Sequence, residues 1–376
     1  MKSVSMNRGA IAGLAFLAVC LLAVEGFSQD PNFFIFLAFG QSNMEGYPGV
    51  EASDKTGVNA RFQLLPAVDW PDKSRTKGTW TTAIPPLCRG DGPGLNPCDY
   101  FGRTLVDSLP ATIKIGVVNV SVAGCAIEMF DKDKYQSYLT NQADWLKAIV
   151  TTYGGNPYAR LVEMGKAAQK DGVIKGFLLH QGESGSSTNQ WANEVKLIYN
   201  NLIKDLGLDS TKIPLLAGDL VNSSTMVKNL PTSLKTAHVV SSQGLGNRGD
   251  GMHFNTQGYR DFGKRYADTM LTILRKQGIS GVAVSGRARA GYALGNSVEF
   301  KNGMASFFFE IPGRAFVTLK ACSLSGKVIA ELAGAEYAGG RHALEFGRKA
   351  IGSGVFVLKM KSGNFSATRT VLVGEQ

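Results

Sequence analysis

The chain has 376 residues, 44% of them hydrophobic and 19% charged, with a formal net charge of +10. That is an ordinary globular balance, long enough for one large domain with an appendage and without the composition of large-scale disorder. The positive charge is spread thinly: no dense Lys/Arg block and no basic motif interleaved with aromatics is present, so nucleic acid is not expected as a partner.

Residues 1–28 have the layout of a secretory signal peptide. Lys2 and Arg8 precede an apolar stretch from Ala10 to Val24, and small residues follow near Gly26 and Ser28. The apolar part is short for a membrane span. Cleavage near Ser28 and a secreted protein are expected.

Several apolar runs then alternate with helical patterns. "FFIFLAFG" (Phe33–Gly40) is continuous, as a strand covered on both faces should be. Ile113–Val122, Ile174–His180, Ile213–Leu220 and Ala237–Ser241 read as further strands. Between and after them, "YARLVEMGKAAQKDG", "NQWANEVKLIYNNLIKDLG" and "NTQGYRDFGKRYADTMLTILRKQG" carry apolar residues at helical spacing and end at Gly172, Gly207 and Gly278. Strands alternating with helices imply a parallel sheet with helices on both faces, an α/β domain over residues 31–278. From 279 to 376 the chain changes to short strand-like runs with Gly- and Asn-containing turns, "SLSGK" and "KSGNF" among them, and a small all-β module is predicted. The segment "CRGDGPGLNPC" is closed at both ends by cysteine. In an exported protein this predicts a disulfide between Cys88 and Cys98, leaving Cys125 and Cys322 unpaired and buried. No CxxC or His-pair spacing accompanies it, so neither a metal nor another cofactor is expected.

Ligands of open α/β sheets sit beyond the carboxyl ends of the strands. "GQSN" places Ser42 at such an end. A serine hydroxyl needs a base to take its proton, and the chain has four histidines. His253 stands out, in the Gly-rich stretch "GDGMHFNTQGY" just before the last helix of the α/β region, with Asp250 three residues earlier and able to turn back to the imidazole. Acyl transfer also needs donors for an oxyanion, and three fall at predicted strand ends: the amide of Ser42, Gly124 in "VAGCAIE", and the side-chain amide of Gln181 in "HQGES". The four tryptophans, Trp70, Trp80, Trp145 and Trp191, fall in loops or at helix edges, and one of them could stack on a sugar ring.

"GQSNMEG", "HQGES" and "DGMHFNTQGY", with "GPGLNPCDYFGRTL" as a further segment, resemble the blocks of the SGNH hydrolase superfamily. The likeness is to its sialate O-acetylesterase-like branch, which includes the acetylxylan esterases of carbohydrate esterase family 6, and it spans roughly Phe33 to Arg275. The resemblance implies a three-layer, flavodoxin-like α/β/α fold, Ser42 as nucleophile, His253 as base, and Ser42, Gly124 and Gln181 as oxyanion donors. It leaves two carboxylates for the acid, Asp250 in the usual position and Glu183 in "HQGES", which would otherwise orient His253 or Gln181. The implied activity is a serine esterase that removes O-acetyl groups from plant polysaccharide, acetylated xylan foremost. A sialate O-acetylesterase and a non-catalytic carbohydrate-binding surface protein are the alternatives. The C-terminal module resembles the sorting domains of type IX secreted proteins, which would make secretion machinery a partner; carbohydrate binding is its other possible role.

Overall fold

The computed structural model describes residues 29–47, 49–89, 93–185, 188–279, 292–295, 299–301, 304–323, 326–347, 354–363 and 365–373. The signal-like segment lies outside them.

Strand β1 (Asp30–Gly40) is buried from Phe33 onward. Successive strand residues point to opposite faces, so the apolar run feeds two cores. Phe33, Ile35, Leu37 and Phe39 enter one, with residues of α4 (Asp144–Thr152), α5 (Pro157–Ala168) and α6 (Thr188–Asp205). Phe34, Phe36 and Ala38 enter the other, with α2 (Pro97–Ser108) and α9 (Thr256–Lys276). This two-sided burial makes the three layers. The remaining strands are β2 (Phe62–Leu64), β3 (Thr81–Thr82), β4 (Lys114–Ser121), β5 (Gly172–His180), β6 (Leu215–Gly218) and β7 (Ala237–Val240). Their order is β3-β2-β4-β1-β5-β6-β7, parallel except for β3 at the edge. Short helices α1 (Ser42–Glu45), α3 (Tyr135–Thr140), α7 (Thr225–Lys228) and α8 (Leu230–Ser233) complete the α/β part. The chain runs from β1 outward to β4 on one side and β5 on the other, so a switch point lies at the end of β1, where such sheets bind ligands.

Beyond α9, β8 (Ala293–Leu294), β9 (Glu299–Lys301), β10 (Met304–Ile311) and β13 (Gly340–Gly347) form one antiparallel sheet. Strands β11 (Ala315–Cys322), β12 (Val328–Tyr337), β14 (Gly354–Ser362) and β15 (Phe365–Val373) form a second. A single core draws on both, with Phe307 and Phe309 from one and Leu319, Leu358 and Val371 from the other.

Three expectations need correction. The helix expected to end at Gly172 stops at Ala168, and Gly172 opens β5. Strands β2 and β3 were not foreseen, being too short to show a period. The Cys88–Cys98 disulfide is absent: both thiols are free and buried. Cys98 lies in the first turn of α2 with its sulfur 3.7 Å from Met44 Sδ, while Cys88 Sγ lies 3.3 Å from the Tyr153 hydroxyl. A loop closed by two cysteines brings them near one another but does not aim their side chains together.

Candidate active site

The site grows from the ends of three neighbouring strands, β4, β1 and β5. Gly40 pairs with Ser121 on one side and His180 on the other. Its backbone is in a positive-φ conformation (φ 149°), and a Cβ there would lie 2.1 Å from the His180 carbonyl oxygen. Only glycine lets the strand end this tightly. The next peptide N–H, of Gln41, donates to that same carbonyl at 3.0 Å, and the turn delivers Ser42 as the first residue of α1.

Ser42 Oγ lies 2.9 Å from His253 Nε2. His253 Nδ1 lies 2.9 Å from Asp250 Oδ2. The other oxygen, Oδ1, accepts the backbone N–H groups of Met252 (2.9 Å) and His253 (2.8 Å). These amide bonds, with the imidazole, hold the Asp250 carboxyl well below the usual carboxylate range. An ionised Asp250 accepts a hydrogen bond from Nδ1–H and leaves Nε2 free to accept from the serine, which fixes the tautomer.

Glu183, the other carboxylate considered, makes no contact with His253 among the described residues. Its Oε1 accepts from Asn43 Nδ2 at 2.6 Å and lies 3.4 Å from His180 Nδ1. Asn43 is the hub of this buried network: Nδ2 also donates to the Met252 carbonyl at 2.8 Å, and Oδ1 accepts the Tyr259 hydroxyl. Asn43, the residue after Ser42, thereby holds the loop that carries His253.

The turn after β4 sits against the same strand end. The N–H of Val122 donates to Gly40 O at 3.0 Å, and the amide of Ala123 bonds the Glu45 carboxylate. Gly124 is exposed at the tip with φ 71°. Neither its amide N–H nor that of Ser42 has an acceptor among the described residues, so both remain open donors at these strand ends. Gln181 is in the neighbourhood but oriented otherwise than expected. It is buried, and its Nε2 lies 3.0 Å from Gln41 Oε1, 3.2 Å from Cys125 O and 2.8 Å from Ser184 O. Its Oε1 accepts the Trp191 indole N–H. With three protein acceptors around two hydrogens, the Gln181 amide braces the turns and has no free N–H for an oxyanion in this arrangement. Burial pushes the Cys125 thiol well up, which leaves it inert as a nucleophile.

Two neighbours escaped the sequence reading. The Tyr47 ring stacks on the His253 imidazole at 3.9 Å between centroids and 9° between planes, with the Arg248 guanidinium 4.7 Å from the Tyr47 ring. Trp145, grouped only with the other tryptophans, lies directly on Gly124. No local pattern marks either contact, since each joins segments far apart in the chain.

The α/β region has the fold of a solved protein from Arabidopsis thaliana, at a TM-score of 0.50 and 23% identity, over 65% of this chain and 99% of that one. It is also similar to the structure titled NanS, at a TM-score of 0.44 and 16% identity over the same shares. Residues 32–272, well over half of the chain and holding every group just described, match the family model "Carbohydrate esterase, sialic acid-specific acetylesterase", and the protein belongs to that family.

Proposed function

We propose that the protein is a secreted serine esterase that removes O-acetyl groups from plant cell-wall polysaccharide, acetylated xylan foremost. The observation that carries the reading is the unbroken chain Ser42–His253–Asp250, with both links at 2.9 Å. Ser42 Oγ attacks the acetyl carbonyl as His253 Nε2 takes its proton. The carbonyl oxygen, now an oxyanion, rests on the amides of Ser42 and Gly124. The imidazolium is steadied by Asp250 and then protonates the departing sugar oxygen, which leaves as a hydroxyl. A water molecule, deprotonated by the same nitrogen, attacks the acetyl-serine and releases acetate. Every proton passes through His253, and neither step leaves a charge without a partner. The signal-like segment supports secretion. In the C-terminal module Tyr292 and Tyr337 pack against Phe365 and Phe309 while Phe316 is exposed, and the sorting-domain reading rests on the sequence resemblance.

A sialate O-acetylesterase is the second reading. It is favoured by the exposed Arg248 beside the triad, a cation suited to a substrate carboxylate. Acetate release by the purified protein from acetylated xylan, set against O-acetylated sialic acid, separates the two. Ser42→Ala is expected to lower turnover of p-nitrophenyl acetate by about 1,000-fold or more. A wild-type protein inert toward that ester removes the esterase reading altogether.

A further inference from the structure

Among the described residues from 29 to 279, the exposed large apolar side chains are Tyr47, Ile84, Trp145, Leu197 and Met252. Three of them border the triad. Tyr47 lies on the His253 ring, Met252 directly precedes it in the chain, and Trp145 stands on the Gly124 side. Isolated exposed apolar residues need no explanation, but their gathering around one reactive serine does.

Trp145 is the most exposed of these, at 56%. Tryptophan is highly buried on average. Its indole edge sits where a side chain at position 124 would have to go: a Cβ on Gly124 would lie 2.6 Å from Trp145 Cη2. Among the described residues no ring stacks on the indole and no acceptor takes its N–H. The residue is nevertheless firmly carried. It lies in the first turn of α4, whose Leu146, Ile149 and Val150 are buried in the core, so the helix cannot turn the indole inward. The result is an open aromatic face on an anchored helix, beside the amide that would hold the oxyanion.

We infer that Trp145 is the platform for the pyranose ring that carries the acetyl group. This rests on the esterase reading of the site. In an acetylated sugar only the ester oxygen separates the acetyl carbonyl carbon from the ring, so a carbonyl at Ser42 puts the ring at the rim of the site. One face of a pyranose is lined by C–H groups carrying slight positive charge, and they meet the negative face of an indole. The unpaired indole N–H can donate to a ring hydroxyl. Tyr47, stacked on the His253 imidazole and itself exposed, adds a second aromatic surface beside the serine. The ligand class is a neutral pyranosyl residue of an acetylated glycan.

The test compares kcat/KM on acetylated xylo-oligosaccharide with kcat/KM on p-nitrophenyl acetate, which has no sugar ring. Trp145→Leu, which keeps apolar bulk over Gly124, is expected to lower the ratio of the two at least about tenfold, while Trp145→Tyr restores most of it. An unchanged ratio in Trp145→Leu, or equal losses on both esters that Tyr does not reverse, overturns the proposal. A readout free of turnover uses the Ser42→Ala protein. Titration with xylotetraose is expected to shift its tryptophan emission and shield it from acrylamide, and the further change Trp145→Leu to abolish that response. A response that survives Trp145→Leu overturns the proposal even if the wild-type protein proves to hydrolyse no ester.

Discussion

Asp250 and Glu183 are both acidic, both near the serine and both credible partners for a histidine, and they differ in what their oxygens meet. Asp250 spans two backbone amides and the imidazole, so it reads the position of His253 and of the loop that carries it. Glu183 meets Asn43 and His180, and its link to the histidine loop runs through Asn43, whose Nδ2 also donates to the Met252 carbonyl. Asp250→Asn is therefore expected to lower kcat by about 1,000- to 10,000-fold, because an amide can present the wrong hydrogen-bonding atom to Nδ1 and lose the tautomer. Glu183→Gln keeps an acceptor for Asn43, and a loss below about tenfold is expected. Steady-state kinetics of the two variants on p-nitrophenyl acetate decide it: a larger loss in Glu183→Gln reverses the assignment. Both carboxylates could be named from their motifs. The choice between them could not, because it depends on side-chain direction across segments that meet only in the folded state.

Helix α2 carries a group whose protonation bears on stability. Its first turn is capped by Asn96, which accepts from Cys98 N at 2.9 Å, and the Asp99 carboxylate accepts from Asn96 N at 2.9 Å. Asp99 is fully buried, and its Oδ1 finds no hydrogen-bond partner among the described residues. Burial, opposed by the bond from Asn96 and by the charge of Arg103, pushes its carboxyl up to about 8. In the unfolded chain an aspartate titrates near about 3.9. Between those two values the folded protein holds a proton that the unfolded chain has lost, so this group reduces stability as pH rises from about 4 to 8. Asp99→Asn, which stays neutral throughout, is expected to show a smaller fall in Tm between pH 5.5 and 8.5 than the wild type. Thermal unfolding at the two pH values measures it, and equal falls would refute the argument. Among the longer elements, β1, β4, β5, α6 and α9 follow from period and from the residues that bound them, whereas α2 and α4 were not anticipated from period. The short strands β2 and β3 left no trace, because two or three residues carry no period.

At the scale of the whole molecule, the α/β part and the C-terminal sheets each keep their cysteines inside, and no described pair is bonded. Burial pushes the Cys88 thiol up to about 12, and those of Cys98 and Cys125 are also well raised. Native protein is expected to leave Cys88, Cys98, Cys125 and Cys322 unreactive toward a thiol reagent such as DTNB. In guanidinium without reductant all four should react in protein lacking residues 1–28, which hold the fifth cysteine, Cys20, whereas a Cys88–Cys98 bridge would leave two fewer.

The apolar run before "GQSN", the strand ends before Gly124 and Gln181, and the Gly-rich loop before α9 are local patterns. Local sterics and hydrophobic period are enough to place a serine, two turns and a histidine at the same edge of a parallel sheet. The sequence by itself therefore determined the layers and which segments meet at the site. Only the tertiary structure decided how they meet: Asp250 rather than Glu183 on the histidine, Gln181 turned into its own bracing contacts, two thiols left apart, Tyr47 laid on the imidazole and Trp145 held open above Gly124. Each of these depends on where a side chain points once distant segments are packed, and no interaction between near neighbours in the chain specifies that direction.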